Sequence, residues 1–185
     1  MMKTKSKFAV SFFAILLMLL AAGEGAGKIF FSKKEALELA FGEQARVEML
    51  SLFLTNEQID KIQRRAKVKI DSALFTFYVG KQQGILLGYA AIETHTVRTR
   101  PETLLIVLSP EGELRRIEVL AFHEPPEYQP PARWFEQLYQ RPLAALDFNA
   151  EVQGISGATL SSRSALDSAR KVLAVFQVAV KRGED

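Results

Sequence analysis

The stretch that decides the fold is ALFTFYVGKQQGILLGYAAIETHTVRTRPETLLIVLSPEGELRRIEVLAF, residues 73–122. It opens with aromatic and β-branched side chains over 73–79, which are typical of a strand. Three further apolar segments predict strands over 85–94, 103–108 and 114–122. The connections are short: a glycine-bounded segment over 80–84, and Ser-Pro-Glu-Gly over 109–112. Strands joined by short turns run antiparallel, so the sequence predicts an α+β fold with a mainly antiparallel sheet and flanking helices.

Two helix starts precede this segment, and both carry a capping box, in which a hydroxyl residue is followed three positions later by Glu or Gln. Ser32 with Glu35 opens the first helix, and Gly42 is its expected end. Thr55 with Gln58 opens the second. Between the two helices, an apolar segment over 47–54 predicts a buried strand.

The C-terminal part of the chain shows the clearest helical pattern. Apolar residues recur there at the spacing of one helix face, at Leu166, Ala169, Leu173, Phe176 and Val180. Charged residues are expected on the opposite face, at Arg163, Asp167, Arg170 and Lys171. Before this amphipathic helix, residues 123–131 contain four prolines and exclude regular structure. A short helix is predicted over 134–139.

Residues 1–27 have the features of an export signal. Three lysines precede an uncharged apolar run over 8–22, and small residues follow at 21–23. The run is shorter than the roughly 20 residues that a spanning helix needs. The segment is therefore either a cleaved signal peptide or a retained N-terminal anchor. Both alternatives place residues 28–185 outside the cytoplasm, where we expect them to form one domain.

Composition excludes several classes of function. The 185 residues include no cysteine, which excludes disulfides, thiolate metal ligands and cysteine nucleophiles. Loss of residues 1–22 would take three lysines from the 24 basic residues and leave 21, equal to the 21 acidic residues. A neutral domain lacks the positive field of a nucleic-acid-binding protein, so no nucleic acid is expected as a partner. His95 and His123 are the only histidines and do not have metal-ligand spacing, so no metal site is expected.

Small and hydroxyl residues over 152–162, VQGISGATLSS, stand directly before the amphipathic helix. Free backbone N–H groups and the helix dipole favour an anion at such a position, and this composition suits a phosphate. An ordinary N-cap by Ser or Thr is the alternative interpretation. A third one, a G-x-S-x-G nucleophile elbow centred on Ser156, is rejected because no histidine follows that serine.

The segment 156–162, SGATLSS, resembles the S-G-A-T-x-[ST]-S signature of the FMN-binding domain family. That family includes the flavin-carrying subunits of sodium-translocating NADH:quinone reductases and of Rnf-type complexes. The resemblance implies an FMN phosphate esterified to Thr159 by a separate flavin transferase. It also implies cofactor contacts from the neighbouring motif residues, Ser156, Gly157, Ala158, Leu160 and Ser161. Residues 28–185 would then be the FMN-binding domain.

Two features of the family pattern differ in this chain. Gln153 stands where the family usually has aspartate, three residues before the motif serine. The family loop E-T-P-G-L-G, which lies near the flavin ring, has its nearest match at 123–128, HEPPEY, without either glycine. His123 and Glu124 are the expected cofactor contacts there. Aromatic residues that could stack on the ring or belong to the core are Tyr128, Trp134 and Tyr139.

No acid–base pair or substrate motif stands near Thr159 in the sequence, so no catalytic residue is assigned and electron transfer is favoured over an enzyme activity. The resemblance implies an exported flavoprotein that exchanges electrons with partners such as a membrane electron-transport complex or a cytochrome. A secreted binding or assembly module without a cofactor is the alternative.

Overall fold

The computed structural model describes residues 28–148 and 152–181. The expected signal or anchor over 1–27 lies outside the described residues. Within the described ranges, no helix combines the length and the apolar character needed to cross a bilayer.

One antiparallel sheet forms the centre of the fold, and the expected α+β class is confirmed. Five long strands and a two-residue strand at one edge follow the spatial order β1-β6-β5-β4-β3-β2. Their bounds are β1 Lys28–Ile29, β2 Arg46–Phe53, β3 Leu74–Gln82, β4 Ile85–Thr96, β5 Pro101–Leu108 and β6 Leu114–Phe122. Strands β2 to β5 each pair antiparallel with the next strand in the chain, and β6 also pairs with β1.

Within the described residues, four α-helices flank the sheet: α1 Lys33–Phe41, α2 Asn56–Ala66, α3 Ala132–Glu136 and α4 Thr159–Val175. The last one continues as a π-helical turn over Phe176–Val180. Both predicted capping boxes are confirmed. The amide of Glu35 donates to Ser32 Oγ at 3.3 Å, and the amide of Gln58 donates to Thr55 Oγ1 at 3.2 Å.

The hairpin between β3 and β4 corrects one prediction. Residues 80–84 were expected to form the connection, but β3 extends through Gln82, which pairs with Ile85, so the turn is confined to Gln83 and Gly84. Gly80 lies inside the strand. The ring of Phe41 occupies the space where a Cβ on this residue would stand, so no larger residue fits there. Its glycine identity therefore reflects packing between α1 and the sheet and not a turn.

The two faces of the sheet bury separate cores. Helices α2 and α4 cover one face over the large core that contains Phe77, Ile106 and Leu173. Helix α1 covers the other face over a smaller core around Ala36 and Leu105. The expected inner stripe of α4 is confirmed, since all five predicted apolar positions are buried.

Arg170 does not lie on a solvated face of α4 as predicted. It is buried, and its Nε has no hydrogen-bond partner among the described residues. Helix α4 packs against both the sheet and α2, so it buries more of its circumference than a two-sided amphipathic pattern implies.

The outer edge of β6 is closed by the segment that follows α3. The hydroxyl of Tyr139 accepts a hydrogen bond from the Ile117 amide at 3.2 Å, and the Gln140 amide donates to the Leu114 carbonyl at 2.8 Å. Burial raises the pKa of the Tyr139 hydroxyl. Tyr139 therefore satisfies backbone groups in the part of β6 that β1 does not cover, which would otherwise be open to pairing.

Candidate functional site

The motif 156–162 forms the start of α4. Ala158 is the N-cap residue and makes no side-chain capping bond, so the interpretation as an ordinary Ser or Thr N-cap is wrong. Thr159 is the first helical residue and is exposed. Its Oγ1 donates to the Ile155 carbonyl at 2.9 Å. The Thr159 side chain is therefore exposed at the N-terminal end of a 17-residue helix, and its hydrogen bond to Ile155 fixes the position of the hydroxyl.

Backbone donors without partners in the described part of the chain lie in the same helical turn as this hydroxyl. Among the described residues, the amides of Thr159, Leu160 and Ser161 have no hydrogen-bond partner. The unpaired amides of a first helical turn, together with the positive end of the helix dipole, form an anion-binding position. The described geometry therefore suits a phosphate at Thr159.

The two motif serines of the first turn have different surroundings. Ser162 Oγ donates to the Ala158 carbonyl at 2.8 Å. Ser161 is only 1% exposed, and its Oγ has no hydrogen-bond partner among the described residues. The Ser161 hydroxyl is therefore a buried polar group on the opposite side of α4 from the exposed Thr159.

Backbone shape explains the motif glycine. Gly157 has φ 88°, a left-handed conformation that residues with a Cβ rarely adopt. A Cβ at this position would meet nothing within 4 Å. The requirement for glycine is thus conformational, and the space beside it is open. Ser156 and Leu160 flank this opening and are both exposed.

The loop before the motif is fastened to α3 and the turn after it. Trp134 Nε1 donates to the Gln153 carbonyl at 2.7 Å, and the Gln153 amide donates to Gln137 Oε1 at 2.9 Å. Only the backbone of Gln153 makes these bonds, and the residue itself is exposed. Replacement of the family's aspartate by glutamine therefore leaves the anchoring of the loop intact.

A second aromatic ring lies beside the motif loop. Phe148 packs at 6.4 Å from the Trp134 ring, and its ring atoms would be 3.9 Å from a Cβ on Gly154. The Arg163 guanidinium lies 5.4 Å from the centroid of the Phe148 ring. The sequence contained no signal for Phe148 or Arg163, because their role depends on tertiary contacts.

Glu124, an expected cofactor contact, binds the β4–β5 connection. Its Oε1 accepts the amides of Arg98, Thr99 and Arg100 at 3.2, 2.7 and 2.9 Å. These amides, Thr99 first, hold the pKa of the carboxyl below its usual value. The adjacent His123 donates its amide to the Pro101 carbonyl at 3.1 Å. Both residues thus fasten the proline segment to the sheet.

Tyr128 and Trp134, the remaining aromatic candidates, also have protein partners. The guanidinium of Arg98 lies 4.7 Å from the centroid of the Tyr128 ring. Trp134 is buried against Phe135, which agrees with its interpretation as a core residue.

A polar network that the sequence did not predict lies under α4. His95 Nε2 is 3.0 Å from Glu102 Oε2, and His95 Nδ1 is 3.2 Å from Ser168 Oγ. Nearby, Lys171 forms an ion pair with Glu93. The network joins the middle of α4 to β4 and β5, and so fixes the helix that carries Thr159.

A cavity of about 370 Å³ lies between the β6 edge and the proline segment. Phe30, Val119, Pro130 and Phe135 are among its lining residues, and no residue of 152–162 lines it. The motif therefore opens to the exposed surface around Thr159 and not into this cavity.

Residues 100–174 match the model of the family described as FMN-binding domain. The match contains β5, β6, the proline segment and the whole motif. This part of the chain is therefore an FMN-binding domain, as the motif indicated, and FMN is its cofactor class. No curated protein and no solved structure has a significant match to the chain.

Proposed function

We propose that this protein carries FMN through a phosphoester to Thr159 and works as an exported electron carrier. The observation that carries the proposal is the exposed Thr159 hydroxyl at a helix start where three backbone amides have no partner among the residues that the structure describes. A phosphate at Oγ1 would lie where these amides and the helix dipole stabilise its negative charge.

The covalent step is a phosphoryl transfer to a hydroxyl. A bond forms between Thr159 Oγ1 and the FMN phosphorus, and the hydroxyl proton is released. A flavin transferase would supply the flavin nucleotide as a phosphoanhydride, whose second phosphate leaves when the P–O–P bond breaks. The product is the protein plus FMN less one water.

Covalent attachment suits a domain outside the cytoplasm, where no FMN pool would refill a site that loses its cofactor. Bound FMN supplies transfer of one or two electrons, and the protein positions it. We infer that the redox partners are a membrane electron-transport complex or a cytochrome, and that the N-terminal segment directs export.

The proposal is tested by the visible spectrum of the denatured protein, purified from a host that contains a flavin transferase. Wild-type protein should keep its yellow flavin after denaturation and removal of small molecules, whereas Thr159→Ala should be colourless. The purified flavoprotein should also show no robust oxidation of a small-molecule substrate unless a redox partner is present. Colourless wild-type protein would favour the alternative, a binding or assembly module without a cofactor.

A further inference from the structure

Arg163 stands four residues after Thr159 on α4, so the two side chains project from the same face of the helix about one turn apart. Both residues are exposed. Among the described residues, no carboxylate lies within salt-bridge distance of the Arg163 guanidinium. An arginine without an ion pair therefore lies beside the proposed attachment point.

Phe148 holds this guanidinium near the start of the helix. The cation lies 5.4 Å from the ring centroid, within the range of a cation–π contact. Phe148 is itself fixed by its packing against Trp134, which also binds the loop before the motif. One set of contacts thus positions both the motif loop and the arginine.

The acidic residue one turn further along the same helix face, Asp167, forms no salt bridge with Arg163 among the described residues. Asp167 is half-buried, and burial raises the pKa of its carboxyl, although the positive charges of Arg170 and Arg163 act in the opposite direction. Two arginines and His95 therefore act on this one partly buried carboxyl, so basic side chains outnumber acidic ones on this part of α4.

A second observation in the same turn points to an anion. The amides of Thr159, Leu160 and Ser161 at the helix start have no hydrogen-bond partner among the described residues. Arginine binds phosphate oxygens through paired N–H donors, more strongly than neutral groups do. We propose that Arg163 is a positioning residue that binds the phosphate of FMN at Thr159, opposite the amides of the first turn.

This inference rests on the proposed function, and its test separates the two. Unmodified full-length wild-type protein is incubated with purified flavin transferase and its flavin donor, and the rate of mass increase is compared with that of Arg163→Gln and Arg163→Met. The methionine variant keeps the apolar contact with Phe148. The control is Arg65→Gln, at an exposed arginine of α2 that has no salt bridge among the described residues.

Loss of a charged hydrogen bond is expected to slow flavinylation about tenfold in both Arg163 variants and not in the control. The ³¹P resonance of fully flavinylated Arg163→Gln should also shift from that of wild type, which a purely structural role would not produce. Wild-type flavinylation rates in both Arg163 variants, together with an unshifted ³¹P resonance in Arg163→Gln, would overturn the role of Arg163. Absence of flavin from the wild type and from Arg65→Gln would overturn the proposed function instead.

Discussion

His95 Nε2 lies 3.0 Å from Oε2 of Glu102, a carboxyl group with no solvent exposure. The second oxygen of Glu102 has no partner among the described residues. His95 is therefore the one described side chain that satisfies this buried group, and it also contacts Ser168 of α4. The contact ties α4, the helix that begins at Thr159, to the sheet.

Removal of this partner should destabilise the fold. His95→Ala leaves the Glu102 carboxyl buried without a hydrogen bond, at an expected cost of about 2–4 kcal/mol in the free energy of unfolding. Urea denaturation at pH 7 measures the loss. The double variant His95→Ala/Glu102→Leu should recover much of it, because both polar groups are then gone. Equal stability of His95→Ala and wild type would contradict the assigned contact.

Glu124 predicts a pH dependence. Its pKa is lowered by the amides of Thr99, Arg100 and Arg98. The folded pKa lies below the unfolded value of about 4.3, so the carboxylate stabilises the fold above that pH. This contribution is lost as the pH falls through the folded pKa.

Urea midpoints measured in steps from pH 7 to pH 3 should therefore fall more steeply for wild type than for Glu124→Gln. Glu127→Gln, at an exposed residue of the same segment, should follow the wild type. Parallel curves for wild type and Glu124→Gln would show that the negative charge of Glu124 does not contribute to stability through its hydrogen bonds with the three amides.

Gly157 and Gly84 form a matched pair for testing the motif. Their φ angles are 88° and 82°, and a Cβ at either would meet nothing within 4 Å. Alanine at either position should cost about 1 kcal/mol from the left-handed backbone alone. Only Gly157→Ala should also slow flavinylation, since only that backbone shapes the start of α4. Equal flavinylation rates in the two variants would show that the backbone conformation of Gly157 is not needed for flavinylation.

Trp134 anchors the motif loop through the Gln153 carbonyl. Trp134→Phe keeps the ring but removes the donor, and should raise amide hydrogen exchange at Gln153 and Ala158 about three- to tenfold. Tyr139→Phe is the control, because it removes a hydroxyl that binds the β6 edge instead. Unchanged exchange in Trp134→Phe would show that the loop is held by other contacts.

Features encoded by neighbouring residues were predictable from the sequence. Both capping boxes depend on a spacing of three residues, and the turn over 109–112 depends on its own proline and glycine; the structure contains all three. The end of β3 was not predictable in the same way. Gly80 resembles a turn residue, yet its identity is set by Phe41, which approaches from another helix.

The same distinction applies to the candidate site. The start of α4 at Thr159 follows from the motif itself. The contacts that hold the motif come from Trp134 and Phe148, and the sequence pattern around these two residues does not predict which loop they contact. Arg170 was misplaced because its burial depends on how α2 packs on α4. Whether Ser156 to Ser161, His123 and Glu124 contact a cofactor stays a prediction.

Peptide-level mass spectrometry of the protein from a transferase-containing host tests covalent flavinylation most directly. The peptide that contains Thr159 should carry one FMN less one water, and the intact Thr159→Ala protein should carry none. Wild-type protein with an unmodified Thr159 peptide, from a host shown to flavinylate another substrate, would contradict the account.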